Sequence, residues 1–200
     1  GVAGLAAARR ARELGLDVLL VDKGHWSEGA RRHLRFEGAA TNLAQGGLAV
    51  VGLSDAPGGI HGSDSVEEHV ADTLDAGAGH CDEDAVRRIV AAGGDAVEWL
   101  IGLGAEFDRY AGEDAVGKYS RTREGGHGHR RIIHAGGDAT GAEIQRALEE
   151  SVGGIRVLQN AAAEEIILDG ERAAGALIRD PRGLGAVLAP ATLIATGGVG

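Results

Sequence analysis

Two glycines at the start of the chain and one aspartate downstream have the types and spacing that bind a nucleotide. The sequence opens Gly1-Val2-Ala3-Gly4, which matches the second half of the pattern G-x-G-x-x-G. In that pattern, residues without a Cβ let a pyrophosphate reach the N–H groups of a helix N-terminus. Asp22 follows an apolar run, where an acid accepts hydrogen bonds from a ribose hydroxyl. We therefore expect nucleotide binding, with an unphosphorylated 2′-hydroxyl as in NAD or FAD.

A second group of residues with possible chemistry lies further along the chain. Three histidines stand there among three arginines: His127, His129, His134, Arg123, Arg130 and Arg131. So many cationic or titratable groups disfavour a bound cation, and we expect no metal site. Two roles stay open for them, contact with an anion or the edge of a substrate, and hydrogen bonding within a loop. The run His80-Cys81-Asp82 is predicted to be structural, with Asp82 as a helix cap.

The elements that must position these residues follow from the spacing of apolar side chains. A first helix is predicted to end near Gly15, and a buried parallel strand is predicted over 17–22. Ser65, with Glu68 three residues later, has the spacing of a capping box at a helix start. Further helices are predicted from Asp82 and over 140–152.

Short β segments dominate the last quarter of the chain. They are predicted over 155–158, 165–168, 173–179 and 186–188, and Asp169-Gly170 is a strong hairpin signal. A final strand is predicted over 192–196, leading into Gly197 and Gly198. The order of elements indicates an α/β, Rossmann-like nucleotide-binding domain with a β-meander insertion.

The composition is that of an acidic globular chain. It has 35 Gly, no Met and a formal net charge of −10 over 200 residues. The acidic balance disfavours nucleic acid and anionic membrane surfaces, and no apolar run reaches the ~20 residues that span a bilayer. Cys81 is the one cysteine, which excludes an internal disulfide framework, so we expect a cytoplasmic protein. Because the sequence lacks Met and opens within a glycine motif, we expect a domain truncated at both ends.

Several motifs together resemble one flavoprotein family. The segment Ala40-Thr41-Asn42-Leu43-Ala44-Gln45-Gly46-Gly47 resembles the flavin-embracing segment of the succinate dehydrogenase, fumarate reductase and L-aspartate oxidase flavoproteins. Further similar stretches follow in the same chain order, at 69–79, 122–127, 130–135, 137–141 and 195–198. The resemblance covers essentially the whole chain, and it implies that 1–200 is the FAD-binding domain, in partial form.

The resemblance implies FAD as the cofactor and assigns its contacts by position. They are Gly1, Gly4, Asp22, Lys23, Ala40, Thr41, Asn42, Leu43, Ala44, Gln45, Gly46, Gly47, Glu164, Thr196, Gly197 and Gly198. Respiratory members of the family attach the flavin to a His where this sequence has Ala40, so the implied FAD is non-covalent. Gly46 and Gly47 would let the backbone approach the isoalloxazine ring, and their N–H groups could stabilise negative charge on it.

One position distinguishes branches of the family. The run Arg123-Glu124-Gly125-Gly126-His127 is similar to the aspartate-oxidising branch, in which the matching Glu faces the substrate amino group. A carboxylate attracts the ammonium of L-aspartate and repels succinate, so the electrostatics agree. The resemblance implies oxidation of L-aspartate to iminoaspartate, with oxygen or fumarate as electron acceptor. That product would pass to quinolinate synthase at the start of NAD biosynthesis.

Two other functions stay open, and part of the machinery is expected elsewhere. A soluble fumarate reductase or succinate dehydrogenase-like flavoprotein is the nearer alternative, disfavoured by Glu124 and Ala40. A nucleotide-binding module without redox chemistry would need no loop like that over 44–47. The family's capping domain, helical domain and catalytic Arg follow the position of Gly200. The stretches 25–38 and 57–62 look like insertions, and we assign them no role.

Overall fold

The computed structural model describes residues 1–28, 34–36, 39–53, 64–110 and 119–198, so the predicted insertion at 57–62 and part of that at 25–38 lie outside it. The chain divides into two units, Gly1–Asn42 with Gln145–Gly200, and Leu43–Ile144. The described helices are α1 (Val2–Glu13), α2 (Val66–Ala76), α3 (Glu83–Ala91), α4 (Gly93–Gly102) and α5 (Thr140–Ser151), with a 3-10 helix over Ala40–Leu43. The described strands are β1 (Leu19–Val21), β2 (Trp26–Glu28), β3 (Leu34–Phe36), β4 (Leu48–Ala49), β5 (Arg121–Thr122), β6 (Ile132–Ile133), β7 (Arg156–Leu158), β8 (Ala162–Asp169), β9 (Arg172–Asp180) and β10 (Gly183–Leu188).

In the first unit, α1 leads into a two-stranded parallel sheet. Leu5 and Ala8 are the buried side chains of α1. Gly15 follows the helix with a φ of 78°, a left-handed conformation that glycine adopts without steric cost. β1 then pairs in parallel with β7. The predicted helix and strand are confirmed, although the strand covers only Leu19–Val21 of the predicted 17–22.

Strands β8, β9 and β10 form an antiparallel meander in the same unit. Asp169 pairs with Arg172 across the tip of the first hairpin, which confirms the turn predicted from Asp169-Gly170. A Cβ at Gly175 would lie 2.1 Å from the carbonyl oxygen of Val187, so β9 and β10 pair here only with a glycine. The meander packs around the buried side chains Ala161, Ala176 and Ile178.

The predicted final strand is the one element that the structure contradicts. Residues 191–198 form no strand, and Leu193 and Ile194 are each 69% exposed. The prediction rested on β-branched and apolar residue types, but a strand exists only where a neighbour pairs with its N–H and C=O groups. No described strand pairs with this segment, so residue type alone was insufficient. Thr196, Gly197 and Gly198 follow as exposed residues.

The second unit contains a small antiparallel sheet, in the order β4-β6-β5, with helices α2, α3 and α4. The N–H of Glu68 donates to Ser65 Oγ over 3.1 Å at the start of α2. The N–H of Ala85 donates to Asp82 Oδ1 over 2.8 Å at the start of α3. Both predicted N-caps are therefore confirmed, because each side chain satisfies an N–H group that the first helical turn leaves unpaired.

Strand β6 lies at the centre of that sheet. Ile133 pairs with Leu48 of β4 on one side and with Arg121 of β5 on the other. Ile132 and Ile133 are almost completely buried, so their positions are fixed by packing as well as by the ladder. The backbone positions of Arg131 and His134, directly before and after β6, are therefore fixed as well.

The architecture combines helices, one parallel strand pair and several antiparallel sheets, which agrees with the predicted α/β class. Within the described part of the chain, no helix has the length and apolar character needed to cross a membrane.

Candidate functional site

The N-terminus of α1 presents a glycine cap and no acidic side chain in its first turn. The positive end of the helix dipole therefore has no carboxylate of that turn beside it. The N–H of Val2 donates to Thr41 Oγ1 over 3.1 Å. A Cβ on Gly1 would lie 3.1 Å from the same oxygen, and one on Gly4 would lie 3.5 Å from Ala195 Cβ. Three predicted cofactor-binding segments of the first unit thus meet at this helix end.

Asp22 lies directly after β1, at the carboxyl end of the parallel pair. Its N–H donates to the Leu158 carbonyl, and its own carbonyl accepts from the N–H of Ala161. Its side-chain Oδ1 accepts from the N–H of Gly24 over 2.7 Å, while Oδ2 has no hydrogen-bond partner among the described residues. The carboxylate is half-buried and held on one oxygen, which leaves the other available to a hydroxyl. The neighbouring Lys23 is exposed.

Glu164 lies on β8 at an irregularity of the sheet. The pairing register of β8 with β9 shifts between Ala163 and Glu165, which is the mark of a β-bulge that leaves backbone groups unpaired. The side chain of Glu164 accepts a short hydrogen bond from Arg179 Nε and another from Arg179 Nη2 at 3.1 Å. The hydrogen bond from Arg179 holds the pKa of Glu164 below its usual range. In this register Glu164 has no partner residue on β9, while its side chain is engaged by Arg179.

The segment predicted to embrace the flavin ring is open over most of its length. Ala40, Asn42 and Leu43 are exposed at the end of the first unit and the start of the second, as are the three residues that follow them. The carbonyl of Ala44 accepts from the N–H of Gly141 over 3.0 Å, which fixes one point of the segment within the second unit. A Cβ on Gly46 would have no neighbour within 4 Å.

Gly47 is required by the protein's own packing. A Cβ at Gly47 would lie 2.2 Å from Ile132 Cγ2 and 2.6 Å from His134 Nε2. Neither distance is compatible with a real side chain, so any larger residue would displace the chain from β6. Sequence reasoning assigned Gly47 to cofactor approach, and the structure adds this second reason for a glycine.

Glu124 and His134 form a hydrogen-bonded pair in the second unit. His134 Nε2 lies 2.9 Å from Glu124 Oε1. The Glu124 side chain is 48% exposed, whereas that of His134 is 17% exposed. Glu124 Oε2 has no hydrogen-bond partner within the described ranges. Sequence reasoning singled out both residues but did not pair them, because a spacing of ten residues across a loop carries no periodic signal.

Arg131 is fully buried between two aspartates. Its Nε and Nη2 donate to the two oxygens of Asp64, at 3.0 and 2.7 Å, and its Nη1 donates to Asp72 Oδ2 over 2.7 Å. Asp72 Oδ2 also accepts from the N–H of Gly128 over 2.7 Å. The carbonyl of Arg131 accepts from the N–H of Val50. The arginine therefore joins the segment before β6 to the region at the start of α2, a role that sequence reasoning missed.

Two histidines pack beside this arginine without forming a metal site. The rings of His69 and His127 lie 5.5 Å apart between centroids. Burial lowers the pKa of His69, and the positive charge of Arg131 lowers it further, so the ring is neutral at neutral pH. In the part of the chain that the structure describes, no three His, Cys, Asp or Glu side chains are arranged to hold a metal ion.

One family model matches the chain over its whole length. A family model described as "FAD binding domain" matches residues 1–200. The chain is 48% identical over 200 residues to the L-aspartate oxidase of Mycobacterium tuberculosis. The aligned region covers 100% of this chain and 34% of that protein. It is 46% identical over 209 residues to the L-aspartate oxidase of Streptomyces coelicolor, covering 32% of it. The chain thus spans about a third of the length of these relatives.

Solved structures have the same fold. The Mycobacterium smegmatis Sdh1 complex in its apo form is similar with a TM-score of 0.81 and 33% identity, over 100% of this chain and 33% of that one. The open conformation of a flavocytochrome c3 fumarate reductase has a TM-score of 0.77 and 26% identity, over 94% of this chain and 30% of that one. The Rossmann-like prediction is confirmed by these similarities.

The buried arginine cluster predicts a local effect on stability. Replacing Asp72 with Asn removes one of the two charges that compensate Arg131, so the N–H of Val50 should exchange with solvent more readily. We expect the free energy of opening at Val50 to fall by about 2 kcal/mol, since breaking a buried ion pair is costly. Hydrogen exchange of the full-length protein measures it.

The control is Glu83→Gln, which breaks an exposed pair with Arg87 and should change the free energy of opening at Val50 by less than about 0.5 kcal/mol.

The pKa of Asp72 is lowered, first by the Gly128 N–H and then by Arg131. Its contribution is therefore present above the pKa of about 3.9 for an unfolded aspartate and is lost as the pH falls through the lower folded value. Equal exchange at Val50 in both variants would contradict the role given to the cluster.

Proposed function

The chain belongs to the FAD binding domain family, and from that premise we propose that it is the cofactor-binding part of an enzyme that oxidises L-aspartate. FAD is the cofactor of this family, and the residues of the first unit fit it. The start of α1, with a glycine cap and no acidic side chain in its first turn, would suit a pyrophosphate. Oδ2 of Asp22, which has no partner among the described residues, suits a ribose hydroxyl.

Each unit contributes its own contacts under this proposal. In the first, the N–H groups at the start of α1 would hold the pyrophosphate, Asp22 the ribose, and the unpaired backbone near Glu164 the adenine. In the second, the open backbone at Gly46 would lie against the flavin ring. When bound, FAD supplies the hydride acceptor for oxidation of a substrate carbon. We further propose that it is held non-covalently, since Ala40 offers no nucleophile.

The observation that supports aspartate as the substrate is the geometry of Glu124. Its carboxylate is half-exposed, its Oε1 is engaged by His134, and its Oε2 is free within the described residues. A carboxylate presented in this way attracts an ammonium group and repels a dicarboxylate that lacks one. The identity of 48% to an L-aspartate oxidase points to the same substrate.

The proposed reaction removes a hydride from Cα of L-aspartate and a proton from its amino group, which gives iminoaspartate. Oxygen or fumarate would then take the electrons. Iminoaspartate would pass to quinolinate synthase in NAD biosynthesis, in the cytoplasm. Under this proposal, the residues that bind the substrate carboxylates, a capping domain and a catalytic Arg would belong to the two thirds of the relatives' length that this chain does not span.

A fumarate reductase-like flavoprotein is the second candidate, favoured by the similarity to a flavocytochrome c3 fumarate reductase. Such an enzyme handles substrates with two carboxylates and no ammonium. Glu124 would raise the free energy of binding for that substrate by like-charge repulsion. Relative affinity for aspartate and succinate therefore separates the two functions.

The first test is removal of the Glu124 charge in the full-length protein. Glu124→Gln should raise the KM for L-aspartate at least about tenfold, because the ammonium loses a charged partner, and should leave succinate binding equal or tighter. Steady-state oxidation of aspartate, followed by peroxide release or fumarate reduction, measures it. Glu67→Gln, an exposed acid of α2, is the control of equal charge change. Unchanged aspartate turnover in Glu124→Gln would show that Glu124 does not face the substrate.

A second test concerns the attachment of the cofactor. Acid precipitation of the purified full-length protein should release the yellow chromophore into the supernatant, since a non-covalent cofactor dissociates when the fold is lost. Absorbance of the supernatant and of the redissolved pellet measures the division. A pellet that retains the flavin would mean a covalent link, and a colourless protein would favour a nucleotide-binding module without redox chemistry.

A further inference from the structure

The His134 ring is held in place on several sides within the second unit. Its Nε2 lies 2.9 Å from Glu124 Oε1, and its backbone carbonyl accepts from the N–H of Asp108 over 2.8 Å. The ring also lies directly against Gly47, where a Cβ would come within 2.6 Å of Nε2 and 2.8 Å of Cε1. The residue follows β6, whose two isoleucines are buried. This histidine is therefore far more constrained than its partner glutamate.

We propose that His134 is a positioning residue, which holds the Glu124 carboxylate in the orientation that recognises the ammonium of an amino-dicarboxylate substrate. The inference rests on the proposed function, and goes beyond it by assigning substrate discrimination to a residue that touches Glu124 rather than the substrate. With Nε2 donating to Oε1, Oε2 is left as the acceptor for an incoming cation within the described residues.

The need for such a partner follows from the exposure of Glu124. A glutamate side chain that is 48% exposed samples several rotamers, and fixing one of them on substrate binding costs conformational entropy. A donor already bound to Oε1 fixes the side chain before the substrate arrives, so that entropy cost is no longer part of binding. Aspartate affinity should therefore depend on His134 through its hydrogen bond to Glu124.

A purely structural role explains the pair less well. A hydrogen-bonded pair with one half-exposed member contributes little to the free energy of unfolding. The fixed position of the His134 ring comes instead from β6 and from the close approach of Gly47. The ring would stay in place without Glu124, whereas Glu124 would lose its orientation without the ring.

The test compares two variants of His134 in the full-length flavoprotein. His134→Leu removes the donor, and His134→Gln restores a side-chain N–H near the position of Nε2. Calorimetric titration under anaerobic conditions, with the flavin reduced beforehand so that no substrate is oxidised, gives the Kd for L-aspartate and, separately, for succinate, which lacks the ammonium. His80→Leu, at an exposed histidine outside the site, is the matched control.

We expect His134→Leu to raise the Kd for aspartate about tenfold and to leave the Kd for succinate within about twofold of the wild-type value. In His134→Gln, the Kd for aspartate should return to within about threefold of the wild-type value. Unchanged or tighter aspartate binding in His134→Leu would overturn the inference. An equal loss for aspartate and succinate would also overturn it, because a structural defect weakens both. If the proposed function itself is wrong, the wild-type protein will bind aspartate no more tightly than succinate, a result that does not depend on the His134 variants.

Discussion

Burial of the Arg131 guanidinium between two aspartates is the interaction on which the second unit depends. A fully buried cation is stable in a protein only when carboxylates and hydrogen bonds replace its hydration, and here Asp64 and Asp72 do so. Arg131 immediately precedes β6, which pairs with both neighbouring strands. Fixing the arginine therefore fixes β6, and β6 in turn fixes the residue that follows it, His134. The position of the Glu124 carboxylate is the last consequence of this chain of contacts.

Glycine serves two different physical purposes along the predicted cofactor segments. At Gly46, the missing side chain leaves the backbone open, which suits the approach of a flat ring, whereas a Cβ at Gly1 would lie 3.1 Å from Thr41 Oγ1. At Gly47, the space is filled by Ile132 and His134 of the protein itself. His134 thus packs against Gly47 of the predicted cofactor segment and bonds to Glu124, so a change at Gly47 would disturb Glu124 as well.

Features governed by local chemistry could be predicted from the sequence. The N-caps at Ser65 and Asp82 and the hairpin at Asp169-Gly170 depend on residues within a few positions of each other, and all three are present. The strand predicted over 192–196 failed because a strand needs a partner that residue type does not reveal. The Arg131–Asp72 contact joins residues far apart in the chain, and the Glu124–His134 contact closes across an irregular loop. Neither contact produces a repeating residue pattern that can be recognised in a single sequence.

In the proposed site, Glu124 receives the ammonium of aspartate while His134 holds the carboxylate in place. A crystal structure of the full-length flavoprotein with 2-methylaspartate tests this most directly, because that analogue keeps the ammonium but has no hydrogen on Cα to lose. We expect the ammonium nitrogen at about 3 Å from Glu124 Oε2, with Oε1 still bound to His134 Nε2. An ammonium bound to other groups, with Glu124 turned to solvent, would contradict it.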